Sequence, residues 1–187
     1  MRLPHPSILG TLYGLSEVFL AVTRRSGRDA VSRDRRSVLL LWAVILISIF
    51  VGVSIQALYP KAQLPRPHAW YLLGMLLFIA GVVLRWYSIF YLGRFFTVDV
   101  AIAAQHKLID SGPYRFIRHP SYTGALMALA GFGLCLGNWL SILTIILPIF
   151  GVFLWRIRVE EHALLAAFGD DYRAYNRRTK RLIPLIY

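Results

Sequence analysis

Two short stretches of this 187-residue chain carry the residue types that do chemistry. The first, SGPYRFIRHPSYTG from Ser111 to Gly124, gathers Tyr114, Arg118, His119, Pro120 and Tyr122. Proline suits the first turn of a helix, where its missing N–H costs nothing, and it biases the preceding residue, here His119, toward an extended conformation. His119 is thereby held at a helix N-terminus, where free amides and the helix dipole favour an anionic group. The same residues also fit an interfacial belt that anchors a helix among lipid headgroups. The second stretch, WRIRVEEHALLAAFGDDYRAY, places Arg156 and Glu160 one turn apart on a common helix face. Its adjacent acids, Glu160 and Glu161, suit the ammonium group of a ligand, or else an ion pair on a solvated amphipathic helix. Gly169-Asp170-Asp171 reads as a helix stop and a new N-cap, and the basic run from Arg177 to Arg181 as a lipid-facing patch. A third segment, LGRFFTVDVAIAAQHKLIDSG, offers Asp99, His106 and Lys107 but reads as a surface connection. Zinc-binding His-Glu-x-x-His or Cys-His sets, a serine-nucleophile elbow and a phosphate-cradling glycine loop are absent from the sequence.

The elements that must position these residues are membrane helices. The chain is 57% hydrophobic and 16% charged, with a mean hydropathy of +0.57, whereas soluble domains run at roughly 45–50% apolar and about 25% charged. Five apolar runs have the length of a bilayer crossing, about 17–25 residues: Ser7 to Thr23, Ser37 to Tyr59, His68 to Leu92, Ser121 to Gly137 and Asn138 to Arg156. The expected fold is all-α: a polytopic membrane protein of about five transmembrane helices, followed by a cytoplasmic C-terminal helical segment. The last two helices meet at Gly137-Asn138 and must form a tight hairpin. The whole of 1–187 reads as a single integral-membrane domain, with three N-terminal spans in 1–92 and the chemistry in 93–187. The first run carries Glu17, follows only one arginine and has no small-x-small cleavage site, so it reads as a retained span, not a signal peptide.

Charge sets the expected orientation. The net charge is +12, but the basic residues flank apolar runs, which fits anionic headgroups and argues against a nucleic-acid partner. With the N-terminus outside, the inner connections carry six, four and seven Lys/Arg residues against three on the outer side, as the positive-inside rule requires. Both chemistry-bearing stretches then lie on the cytoplasmic side, flanking the hairpin. The fourth run has a small-residue stripe at Ser121, Gly124, Ala128, Gly131 and Cys135, which lets helices approach closely in lipid. Cys135 is the chain's single cysteine and reads as a packing residue. Glu17 and Arg85 are ionisable residues inside apolar runs, functional candidates by default, and both read as structural; Arg85 lies near enough to a helix end to snorkel.

The order H-x-L-[IV]…S-G-x-Y-x-x-[FI]-R-H-P-S-Y-x-G, an apolar hairpin, then R-x-x-x-E-E…F-G-[DE]-[DE]-Y…Y resembles the isoprenylcysteine carboxyl methyltransferase family of integral-membrane methyltransferases, a group that includes phospholipid N-methyltransferases. The likeness covers about Leu92 to Pro184. It implies S-adenosylmethionine as methyl donor, bound on the cytoplasmic side. His106, Leu108 and Ile109 match positions that hold the adenine end, and Tyr114, His119, Pro120 and Tyr122 match the segment lining the cofactor pocket. Glu160 and Glu161 match the acidic pair; one would hold the methionyl ammonium, a role assigned to Glu161, with Glu160 placed at the reacting groups. Arg156 matches an arginine at the methyl-acceptor site, where it could orient a carboxylate by a bidentate pair. The implied partner is a lipid-embedded acceptor, foremost a prenylcysteine carboxylate, entering from the bilayer. A phospholipid amine is the alternative, for which Glu160 would serve as base. A non-catalytic lipid-binding protein and a sterol-reductase-like enzyme are the readings from other classes.

Overall fold

The computed structural model describes residues 4–23, 35–96, 108–184 and 187. Among the described residues five α-helices follow one another: α1 (Pro6–Thr23), α2 (Arg35–Leu58), α3 (Pro67–Leu92), α4 (Pro120–Leu136) and α5 (Trp139–Arg178). Four are long and apolar enough to cross a membrane, and α4, at 17 residues, is at the short end of that range. Large apolar side chains such as Leu12, Leu39, Phe50, Leu76 and Leu147 are exposed on the helix surfaces. That outward apolar coat marks an integral membrane protein, because each helix satisfies its own backbone and turns hydrocarbon toward lipid.

The sequence-level punctuation appears where expected. Pro67 and Pro120 open α3 and α4. Gly137 ends α4 in the left-handed region (φ 67°), a conformation that favours glycine. Asn138 caps α5, its side chain accepting from the backbone N–H of Leu140 and Ser141 at 3.1 Å each. Its amide also donates to the Tyr59 carbonyl at 3.0 Å, and the Leu64 N–H donates to the Gly137 carbonyl at 2.8 Å. The hairpin turn is thus tied to the α2–α3 connection.

Helices α3 and α4 form the rigid centre. A Cβ on Gly81 would lie 2.3 Å from the backbone nitrogen of Ala128, and one on Gly131 would lie 2.4 Å from that of Phe78. The helices therefore touch backbone to backbone along the small-residue stripe. Gly81→Ala is expected to lower stability by about 1–3 kcal/mol, read as thermal denaturation in detergent. Gly14→Ala, where a Cβ meets nothing within 4 Å, should leave the melting temperature essentially unchanged.

Around this centre, α2 packs on α5 and α1 leans on α4. Helix α5 runs well past Arg156, the expected end of its apolar span, to Arg178. It breaks at Gly169 (φ 52°, ψ −119°), the glycine read as a stop. The residues beyond it fold back on the start of α4: the N–H groups of Arg118 and His119 donate to the carbonyls of Lys180 and Arg181 at 2.8 and 3.0 Å. This return brings the two chemistry-bearing stretches to one end of the bundle.

Candidate active site

The end opposite the hairpin turn holds a pocket whose walls differ in character. On one side lie Leu108, Ile109 and Tyr114 from the segment before α4, with Phe168, Tyr172 and Tyr175 from the end of α5. On the other lie side chains of the apolar helices, including Leu20 of α1, Leu41 and Trp42 of α2, Leu129 of α4 and Phe153 of α5. Tyr122, Arg156 and Glu160 also line it, and they are the groups where the two halves meet. Helix geometry explains the meeting: Arg156 and Glu160, four residues apart, share a face of α5, and Tyr122 stands in the first turn of the adjacent α4. The Tyr122 hydroxyl donates to Glu160 Oε2 at 3.2 Å and has Arg156 within hydrogen-bonding reach. Arg156 itself is 1% exposed and donates to Ser37 Oγ on α2, so its guanidinium is held in the wall.

Behind this wall Glu161 organises the polar end. Arg118 Nε donates to Glu161 Oε1 at 2.8 Å, and Arg181 Nε donates to Glu161 Oε2 at 2.9 Å. His119 Nε2 lies 3.4 Å from Glu161 Oε1, and His119 Nδ1 lies 3.9 Å from Glu160 Oε2. Burial alone would raise the Glu161 carboxyl, but hydrogen bonds from His119, Arg181 and Arg118 outweigh it and hold the pKa at about 2. The same hydrogen bond raises the Arg181 guanidinium above its ordinary value. Arg118 also donates to the Asn176 carbonyl at 3.2 Å, and the Tyr175 hydroxyl to the Tyr114 carbonyl at 2.7 Å. A single buried carboxylate thus joins the start of α4, the middle of α5 and the returning C-terminal segment.

Of the residues singled out in the sequence, Leu108, Ile109, Tyr114, His119, Tyr122, Arg156 and Glu160 line one pocket. Pro120 opens α4 between two of them. Glu161 is absent from the lining and is engaged by Arg118, Arg181 and His119 instead. His106 lies outside the described residues. Two features escaped the sequence reading. Arg181 is not part of a lipid-facing basic patch, since it pairs with Glu161; proximity to other basic residues concealed a partner 20 positions earlier. Tyr172 is 1% exposed and lines the pocket, and its phenol oxygen finds no hydrogen-bond partner among the described residues. Its place in the Gly-Asp-Asp-Tyr run was the available signal.

The described membrane-length helices thus enclose a pocket of arginine, carboxylate and phenol groups beside an apolar slot, the layout of an intramembrane protein that binds a polar and an apolar group together. The sequence profile of the isoprenylcysteine carboxyl methyltransferase (ICMT) family matches residues 72–166. The Arabidopsis thaliana protein-S-isoprenylcysteine O-methyltransferase B is 32% identical over 145 residues, which cover 76% of this chain and 72% of that protein. A probable protein-S-isoprenylcysteine O-methyltransferase of Oryza sativa subsp. indica is 36% identical over 115 residues, 60% of each chain. The solved structure of the eukaryotic intramembrane Ras methyltransferase ICMT superposes with a TM-score of 0.62 at 28% identity, covering 83% of this chain and 55% of that one. The chain belongs to the isoprenylcysteine carboxyl methyltransferase family, and it is a membrane methyltransferase. It spans 60–72% of these plant relatives and about half of the solved chain.

Proposed function

We propose that this protein transfers a methyl group from S-adenosylmethionine to the carboxylate of a prenylcysteine-type acceptor that enters the pocket from the bilayer. The observation that carries this reading is the two-sided pocket, aromatic toward the polar end and apolar within the helices, with Arg156 and Glu160 between. The residues of the polar half fit the donor. Tyr114, Tyr175, Leu108 and Ile109 supply flat and apolar surface for an adenine ring, and the Tyr172 phenol, without a hydrogen-bond partner among the described residues, can donate to a polar group of the cofactor. Glu160, a carboxylate whose side chain is 33% exposed, suits the methionyl ammonium. Glu161 supports the site from behind by fixing His119 and Arg118. When bound, the donor supplies an electrophilic methyl on a sulfonium. Arg156 would pair with the acceptor carboxylate and aim one oxygen at that methyl, and positioning of this kind accounts for much of the rate. A carboxylate is already a nucleophile at neutral pH, so the reaction needs no dedicated base.

The positive-inside distribution of Lys and Arg supports an orientation with the N-terminus outside and the site on the cytoplasmic side. Calorimetry in detergent tests the donor assignment, with NADPH as a parallel ligand for the reductase reading. S-adenosylhomocysteine is expected to bind the wild type, and Glu160→Gln and Tyr172→Phe to weaken that binding by about three- to thirtyfold, the loss expected for one hydrogen bond to a charged or a neutral group. Tight NADPH binding without S-adenosylhomocysteine binding would overturn the donor assignment. Methylation of phosphatidylethanolamine, but not of a prenylcysteine, would move the acceptor to the amine class.

A further inference from the structure

Glu17 on α1 and Arg85 on α3 form a bidentate ion pair. Arg85 Nε donates to Glu17 Oε1 at 2.5 Å and Nη2 to Oε2 at 2.6 Å, while Nη1 donates to the Ser121 carbonyl at 3.2 Å. Both residues lie in membrane-length apolar helices, and Glu17 is 7% exposed. A buried ion pair returns little more than its desolvation costs, so stability alone does not account for one here. Nor is the pair needed to dock α3 against α4. Those helices already touch through backbone: a Cβ on Gly124 would lie 2.5 Å from the backbone nitrogen of Arg85 itself.

What the pair adds is α1. This helix turns Leu12, Leu15, Val18 and Phe19 outward. Its other attachments are apolar: Leu9 and Leu20 are buried, Gly10 lies against Phe132, the Tyr13 ring is edge-on to Phe78 at 6.0 Å, and Phe19 is near Trp86 at 6.3 Å. Yet Tyr13, Glu17 and Leu20 of α1 form part of the pocket wall, together with Arg85 and with Leu41 and Trp42 of α2. The apolar half of the pocket is therefore bounded by α1, which the ion pair ties to α3 at pocket level beside the apolar contacts of Tyr13 and Leu20.

We infer that the Glu17–Arg85 pair positions the methyl acceptor: it fixes α1 as the lipid-side wall of the apolar half and so sets where the acceptor's tail lies relative to Arg156. Glu17 and Arg85 are positioning residues in this scheme, acting through the wall they hold. The inference rests on the methyltransferase reading of the pocket. It predicts a kinetic split, because a displaced wall weakens acceptor binding while the donor half, built from the polar segments and the end of α5, stays intact.

The test uses the full chain in proteoliposomes with N-acetyl-S-farnesylcysteine as acceptor, and calorimetry of S-adenosylhomocysteine as a readout independent of turnover. Single variants Glu17→Gln and Arg85→Gln leave a buried charge unpaired and can fail to fold. The apolar double variant Glu17→Leu/Arg85→Met removes both charges and keeps the volume filled, a replacement that is often neutral for stability. It is expected to raise the acceptor KM about tenfold or more, while kcat and the S-adenosylhomocysteine Kd stay within about twofold. The charge swap Glu17→Arg/Arg85→Glu should recover part of the lost acceptor affinity. A folded double variant with wild-type acceptor KM, or one that loses S-adenosylhomocysteine affinity and acceptor affinity together, would overturn the inference. A wild-type protein that binds no S-adenosylhomocysteine and methylates nothing would instead remove the methyltransferase reading on which it rests.

Discussion

Neutralising Arg156 is expected to reduce methylation of a prenylcysteine carboxylate at least about a hundredfold while leaving S-adenosylhomocysteine affinity within about twofold. Truncating one partner of a desolvated charge pair costs about 2–5 kcal/mol, and about 2.7 kcal/mol corresponds to a hundredfold. The residue is 1% exposed and sits on the pocket wall, so a carboxylate paired with it would be shielded from water. Arg156→Gln keeps a hydrogen-bonding group but removes the charge, and Arg156→Lys keeps the charge but loses the planar fork. The lysine variant should fall between glutamine and wild type. The fold is expected to survive either change. Arg156 does reach Ser37 on α2, but α2 and α5 also meet through apolar packing, with Gly52 directly against Ile145. Steady-state methylation of a prenylcysteine, with binding measured separately, reads this prediction. Near-wild-type rates in Arg156→Gln would exclude a carboxylate held by this arginine and favour an amine acceptor.

Removing the charge of Glu161 is expected to do something different: to destabilise the protein at neutral pH by about 3–5 kcal/mol, the cost of breaking a buried pair from one side. In Glu161→Gln, Arg118 and Arg181 would face each other beside His119 with no anion between them. The wild type should also show an acid limb that the variant lacks. The folded-state pKa of about 2 lies below the ordinary carboxylate value of 4.5. The Glu161 contribution to stability is therefore fully present above pH 4.5 and is lost as pH falls from there through 2. Thermal denaturation in detergent across that range measures both effects. The contrast with Glu160→Gln separates the roles of the two acids. That variant is expected to weaken S-adenosylhomocysteine binding with little change in melting temperature. A Glu161→Gln protein as stable as wild type would show that the three-way contact contributes nothing to the fold.

Much of the fold was legible in the sequence because its signals are local. Apolar runs of bilayer length, Pro120 at a helix start, Gly137-Asn138 at the hairpin and Gly169 at the break each state their own structure within a few residues. The small-residue stripe of α4 was equally plain, since a repeat of three and four places all its members on one face. The order of the Arg-His-Pro cluster, the hairpin and the acidic pair carried the family resemblance, and the pocket gathers most of the residues named from it.

Tertiary structure alone decided which side chains meet. The Glu17–Arg85 and Arg118–Glu161 pairs join residues 68 and 43 positions apart, and Arg181 reaches back 20 positions to Glu161. No periodicity connects such positions. Their meeting follows from how α1, α3 and the C-terminal return pack around α4. The different surroundings of Glu160 and Glu161 show the same limit at shortest range. Adjacent residues on a helix point about 100° apart, so the sequence states that one acid can face a ligand but not which one. The rotation of α5 against α4 makes that choice, turning Glu160 toward the Tyr122 hydroxyl and the pocket and Glu161 toward Arg118 and Arg181.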